Sequence, residues 1–142
     1  MHGGKNLKAV IDTNVVLAGL ANRKGAALKI LRRFFQRQYE WVNSQSTFDE
    51  YRRVLPRSQR IPPRRVRAFL SLISKRSRFV QITSTFKICK DSDDDKFLET
   101  ALVGNADFLV TKNLKHFPHK SYQGVRIVNV AKFLQELEKH FP

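Results

Sequence analysis

The sequence predicts an α/β sandwich built around a mainly parallel sheet. Three observations point there. Short apolar runs alternate along the chain with longer amphipathic segments, the order expected of strands crossing to parallel neighbours through helices. The links between them are short, so consecutive elements must pack beside one another. The chain has 142 residues, of which 42% are hydrophobic, which is the size of one ordinary domain with one buried core.

The elements follow in order. Lys8-Ala9-Val10-Ile11 is a short apolar run ending at Asp12, the pattern of a buried strand. Val15 to Leu20 reads as a short helix or turn. Gly25 to Gln38 reads as an amphipathic helix, because Ala27, Leu28, Leu31, Phe34 and Phe35 recur at three- and four-residue steps while Lys29, Arg32, Arg33 and Arg37 fall mostly opposite. Glu40 to Asn43, centred on Trp41 and Val42, is a second strand. Thr47-Phe48-Asp49-Glu50 has the form of a capping box, which predicts a helix from Phe48 to Leu55 that Pro56 ends. Pro62-Pro63 opens a helix that runs to Arg76 with Val66, Phe69, Leu70 and Ile73 on one face. Arg78 to Ile82 is a strand candidate. Ser92 to Asp95 resembles a second capping-box start, with a helix following to about Gly104. Asp107 to Thr111 is a buried strand, Val125 to Val130 the last strand, and Ala131 to His140 the last helix.

Charge is the first clue to function. Lys and Arg number 27 against 12 acids, a net +15, and such an excess marks a polyanionic partner. The charge is also unevenly placed. Tyr51 to Lys90 contains no Asp or Glu but carries Arg52, Arg53, Arg57, Arg60, Arg64, Arg65, Arg67, Lys75, Arg76, Arg78, Lys87 and Lys90. Asp91, Asp93, Asp94, Asp95 and Glu99 then crowd together. Cys89 is the one cysteine, which excludes an intramolecular disulfide and leaves it the role of a small buried apolar residue. No apolar run approaches the roughly 20 residues of a membrane span. Met1 to Lys8 is short and polar, without a signal-type apolar run, so the expected location is the cytoplasm. Domain organisation is expected to be a single unit over residues 1–142.

Functional groups of open parallel sheets gather at the carboxyl ends of strands. Asp12 ends the first strand, and Thr111-Lys112-Asn113 ends the Phe108–Val110 strand in the same way. If both strands are central, Asp12 and Asn113 share one edge of the sheet. Asp95 begins the helix leading into that strand, and Glu50 lies in the first turn after the second strand. Each has a plain alternative. Asp12, Thr13 and Asn14 would serve as a helix cap, Glu50 as the acidic half of a capping box, Asp91 to Asp95 as an N-terminal acidic turn, and Asn113 as a cap. His2, His116, His119 and His140 are scattered and read as surface residues, although His116 and His119 would contact phosphate if they flank the Asn113 loop.

Taken together these segments resemble the PIN-domain family. Val10-Ile11-Asp12-Thr13-Asn14-Val15-Val16-Leu17-Ala18-Gly19 resembles its opening strand and turn. Phe48-Asp49-Glu50-Tyr51-Arg52-Arg53-Val54-Leu55 resembles its second acidic motif, Asp91-Ser92-Asp93-Asp94-Asp95-Lys96-Phe97-Leu98-Glu99 its third, and Ala106-Asp107-Phe108-Leu109-Val110-Thr111-Lys112-Asn113 the strand and turn of its fourth. The resemblance implies a three-layer α/β/α sandwich and a single-strand ribonuclease dependent on Mg²⁺ or Mn²⁺, with many small members acting as toxins of toxin–antitoxin pairs. It assigns catalysis and metal binding to Asp12, Glu50 and Asp95, with Asp94 and Asn113 as weaker metal positions and Thr13 and Asn14 orienting Asp12. One departure stands out. The fourth acidic position is Asn113, and His116 stands where some relatives have another Asp, so a charge is missing from the expected metal shell.

Physical chemistry supports a metal at such a site. Two carboxylates about 4 Å apart repel by about 4 kcal/mol at an effective dielectric of about 20, so three that converge must shift their pKa values upward or bind a cation. Oxygen ligands select hard ions such as Mg²⁺ or Mn²⁺. No Ser–His or Cys–His pairing appears at these motifs, which argues against a covalent nucleophile. Nucleic-acid contacts are expected from Thr13, Asn14, Lys112 and the exposed Arg64, Arg65 and Arg67, whose helix face would otherwise dock an acidic antitoxin. The expected partners are RNA, that antitoxin and a second copy of the chain, with no membrane. Two other readings compete: a PIN-like module that binds RNA without cutting it, and a phosphatase, which fits worst because the chain has no glycine-rich phosphate loop.

Overall fold

Consecutive residues of a strand face opposite sides of its sheet. Ala9, Val10 and Ile11 are all 0% exposed, so the strand that they form is covered on both faces, as a parallel sheet between helices requires. The computed structural model describes residues 6–89 and 91–142. His2 and Lys90 lie outside the described residues, as does the polar stretch before residue 6.

The order of elements is β1 (Lys8–Ile11), α1 (Thr13–Ala21), α2 (Ala26–Phe35), β2 (Glu40–Asn43), α3 (Gln45–Val54), α4 (Pro63–Arg76), β3 (Arg78–Phe79), α5 (Ser92–Val103), β4 (Phe108–Val110), β5 (Ser121–Tyr122), β6 (Val125–Val128) and α6 (Val130–His140). Short 3₁₀ turns at Leu55–Arg57 and Leu114–His116 follow α3 and β4. The sheet runs β3-β2-β1-β4-β6-β5. All pairs are parallel except β5 with β6. β1 and β4 are therefore central neighbours, and the register Ile11↔Val110 sets Asp12 beside Thr111 at the carboxyl edge. Helices flank the sheet: α2 packs on α1 and α6, while α5 packs on β1, β2, β4 and α3. Trp41, Tyr51, Phe97 and Phe133 are the largest fully buried side chains. The Tyr51 hydroxyl donates to the carbonyl of Ile11 and ties α3 to the end of β1. Among the described residues no helix is long and apolar enough to cross a membrane.

Several boundaries differ from expectation for local reasons. α3 begins at Gln45 rather than Phe48, because Ser44 and not Thr47 is the cap: the Ser44 hydroxyl accepts from the Thr47 N–H, and the Thr47 hydroxyl accepts from the Ser44 N–H. Glu50 is thereby freed from capping. The cap of α5 is Asp91, which accepts from the Asp93 N–H at 3.0 Å, rather than Ser92. The expected strand from Arg78 to Ile82 shrinks to Arg78–Phe79 at the sheet edge. The hairpin β5–β6 was not expected; it turns through Gln123 and Gly124, both at positive φ (48° and 93°), the backbone that a tight hairpin demands. Cys89 is only half-buried.

One glycine reports on how closely α1 and α2 approach. A Cβ at Gly19 would lie 2.5 Å from Leu31 Cδ1 and 3.0 Å from the Ala27 carbonyl oxygen. Overpacking costs about 1–3 kcal/mol, and alanine returns up to about 1 kcal/mol in a helix interior. Gly19→Ala is therefore expected to destabilise the fold by about 1 kcal/mol net. An unfolding midpoint in urea equal to that of the wild type would show that this helix contact has slack.

Candidate active site

Asp12 follows β1 directly, and its N–H bonds to the Val110 carbonyl at 2.9 Å, which fixes its backbone against β4. It stands at the cap position of α1 but makes no side-chain cap bond. Its carboxylate instead accepts the Thr111 hydroxyl at 2.8 Å. Asp12 is 5% exposed, and burial, reinforced by the negative charges of Asp94 and Glu50, pushes it up to about 6 against the opposing Thr111 hydrogen bond.

Glu50 comes to the same crevice from α3 and is 8% exposed. It accepts the Thr13 hydroxyl and an ammonium contact from Lys96 at 2.7 Å, with Arg53 at 3.9 Å. Asp94 comes from the first turn of α5. Its carboxylate meets His116 Nδ1 at 2.9 Å, and burial raises its pKa although the imidazole opposes the shift. Asp91, Asp94 and His116 each offer one ligand atom within 4.8 Å of the others. A crevice of about 320 Å³ gathers Asp12, Thr13, Asn14, Glu50, Asp91, Asp93, Asp94, Asn113 and His116, with Arg53, Val54 and Arg57 at its side.

One expectation needs correction. Asp95 does not join Asp12 and Glu50; Asp94 does. Successive residues of a helix point about 100° apart, and the Asp95 side chain is turned away from the crevice that Asp91, Asp93 and Asp94 line. Asp95 Oδ1 accepts the N–H groups of Ile88 and Cys89 at 2.9 and 2.7 Å and borders a different cleft, with Lys87, Cys89 and Glu99. Thr13 serves both carboxylates: its backbone N–H bonds to the Asp12 carboxylate beside the Thr111 hydroxyl, and its own hydroxyl donates to Glu50.

The remaining residues divide between crevice and surface. Asn14 and Asn113 line the crevice, and Asn113 makes no side-chain cap bond. Lys112 is exposed and lines a depression beside it. Arg64, Arg65 and Arg67 are exposed on α4, away from the crevice lining. Arg65 donates to the Leu20 carbonyl at 3.1 Å and borders a groove with Leu28, Leu31, Phe35 and Leu72. Sequence reasoning assigned no site role to Lys96 or Thr111, named Asp91 only as part of the third acidic motif, and gave His116 only as a conditional phosphate contact. Asp91 and Asp94 are three apart, the spacing of one helix face, and that spacing was a usable signal. The contact of Lys96 with Glu50 and that of His116 with Asp94 come from folding.

The donor set suits a hard divalent cation: carboxylate oxygens dominate, one imidazole is adjacent, and the Asp12 carboxyl is raised to about 6 chiefly by burial, with Asp94 and Glu50 adding to it. A family model described as PIN domain matches residues 8–115, a span that contains every crevice carboxylate and stops just short of His116. An uncharacterized protein of Methanocaldococcus jannaschii is 25% identical over 144 residues, covering 94% of this chain and 93% of that protein. Among solved structures, VapBC2 from Rickettsia felis, bound to a DNA fragment from their promoter, is similar at TM-score 0.58 and 15% identity over 87% of this chain and 98% of that one. That likeness is one of fold.

Proposed function

Because the chain belongs to the PIN-domain family, we propose that it is a divalent-metal-dependent endoribonuclease that cuts single-stranded RNA, with Mg²⁺ or Mn²⁺ as the ion. The observation that carries this reading is the convergence of Asp12, Glu50 and Asp94, from three separate elements, on one crevice in a protein of net charge +15.

Asp12 and Asp94 would hold the ion, with Asp91 and His116 adjacent and the Asn113 amide as a neutral donor. When bound, the ion supplies a water of lowered pKa and neutralises charge building on the scissile phosphate. The chain's own groups prepare that chemistry. Thr111 fixes the Asp12 carboxylate. Thr13 and Lys96 hold Glu50 in place, so that its charge is aimed before substrate arrives. Arg53 and Arg57 border the crevice, where cations attract a phosphodiester. Asn113 and His116 in place of acids lower the negative charge of the site, which favours one ion over two and weakens its hold on that ion.

The family's many toxin members and the fold likeness to VapBC2 support a role as the toxin of a toxin–antitoxin pair. An acidic antitoxin would suit the groove between α2 and α4, which Arg23, Arg32 and Arg65 border around Leu31, Phe35 and Phe69.

The test is direct. Purified protein is expected to cleave single-stranded RNA with Mg²⁺ or Mn²⁺ and to lose that activity in EDTA, followed by gel electrophoresis of an end-labelled strand. Undiminished cleavage by metal-stripped protein sinks the mechanism. Metal-independent binding without cleavage in any divalent ion would establish the non-catalytic RNA-binding module instead.

A further inference from the structure

The acidic crevice continues past its own edge. Asn14, Val54, Arg57 and Asn113 line it and also line a second depression of about 600 Å³ along α1 and the turn after α3. The two form one continuous trough. Its chemistry changes abruptly at that boundary. The crevice holds carboxylates, whereas no acid lines the second depression. Its walls carry Arg57, Arg60 and Lys112, and its floor is the Leu17, Ala18 and Ala21 face of α1.

The three cations are available. All are exposed, and none is paired with a carboxylate among the described residues. Arg60 is braced by the Asn22 side chain at 2.8 Å, which orients its guanidinium without neutralising it. A row of unpaired cations over an apolar floor, opening into an acidic centre, fits a chain with regularly spaced negative charges and apolar faces between them. A single nucleic-acid strand has that form, with phosphates for the cations and bases for the floor.

We propose that this trough binds the flank of the RNA strand on one side of the cleavage point, with Arg57, Arg60 and Lys112 taking backbone phosphates. The inference rests on the ribonuclease reading and replaces the α4 arginines as the strand's track. Arg64, Arg65 and Arg67 do not line the trough, and Arg65 spends a donor on the Leu20 carbonyl.

The test compares two triple variants, Arg57→Gln/Arg60→Gln/Lys112→Gln and Arg64→Gln/Arg65→Gln/Arg67→Gln. Each is titrated by fluorescence anisotropy against a labelled single-stranded RNA in EDTA over a range of salt, so that no cleavage intervenes. Each phosphate contact on a single strand contributes a log–log salt slope of about −0.7, so loss of three should flatten the slope by about 2 and weaken binding about a hundredfold near 0.1 M salt. The α4 variant is expected to keep the wild-type slope. Arg60 and Arg65 also tether to Asn22 and to the Leu20 carbonyl, so a thermal melt of each variant verifies that it is folded at the assay temperature. Wild-type affinity and slope in the trough variant would overturn the proposal while leaving a cleaving enzyme intact. A wild-type protein that neither binds nor cuts RNA would overturn the trough and the function together.

Discussion

Asp94→Asn is expected to lower the rate of RNA cleavage by about a thousandfold or more, whereas Asp95→Asn is expected to stay within about tenfold of the wild type. The first figure follows from the several kcal/mol that a correctly held ion supplies to a phosphoryl transition state, at about 1.4 kcal/mol per decade. Asp94 faces Asp12 and Glu50 across the crevice, so loss of its charge removes a ligand and leaves the size unchanged. Asp95 has a different task. Its Oδ1 caps the N–H groups of Ile88 and Cys89, and asparagine retains an oxygen that can do the same. The effect of a positioning group on a metal site is about 10- to 100-fold at most, and here the acceptor survives. Asp95→Ala removes the acceptor and should cost about 1–3 kcal/mol of stability through two unsatisfied N–H groups. Single-turnover cleavage and urea unfolding measured on all three variants check this. If Asp95→Asn is dead while Asp94→Asn is active, the assignment of the two residues is reversed.

Asp12→Asn is expected to abolish cleavage and to make the metal-free protein more stable at pH 7. The Asp12 carboxyl is raised from 3.8 to about 6, a difference worth up to about 3 kcal/mol. The folded chain holds this proton more tightly than the unfolded chain. Below pH 4 the group is protonated in both states and costs nothing. From pH 4 to about 6 the cost grows, and above 6 it is fully present. Acidification from pH 7 to 4 should therefore strengthen the wild type through this group, and Asp12→Asn should lose that part of the pH dependence. Burial is the main cause of the shift, with Asp94 and Glu50 adding to it, so a bound divalent ion should recover the same energy and bind less well below about pH 6. Urea unfolding at both pH values, with and without Mg²⁺, measures each part. An Asp12→Asn protein no more stable than the wild type at pH 7 would show that the charge is not strained.

Much of this protein could be read from its sequence. Ala9–Ile11, Trp41–Val42 and Phe108–Val110 are the cores of strands buried on both faces, and such strands announce themselves because consecutive positions are apolar. The placement of Asp12 and Asn113 at one sheet edge followed from strand ends alone, since parallel strands bring their carboxyl ends to the same side. The basic excess, too, is a property of composition.

Tertiary structure decided what local pattern leaves open. Which of the adjacent acids Asp94 and Asp95 enters the crevice depends on the phase of α5, set by the Asp91 cap and by Phe97, Leu98 and Ala101 packing inward. The Asp91–Asp94 spacing hints at that phase, but only the packing of α5 fixes it. The partners of Glu50 and Asp12 are likewise contacts between elements: Thr111 reaches Asp12 only because β4 pairs with β1 in that register, and Lys96 reaches Glu50 only because α5 packs on α3. Arginines were legible as a class but not as a surface. Arg57 borders the acidic centre and Arg60 the depression beside it while Arg64, Arg65 and Arg67 border neither, because the chain turns between Leu55 and Pro63 and the helix after it lies along another face. Charge in a sequence is a sum, whereas a binding track is a geometry, and only packing converts one into the other.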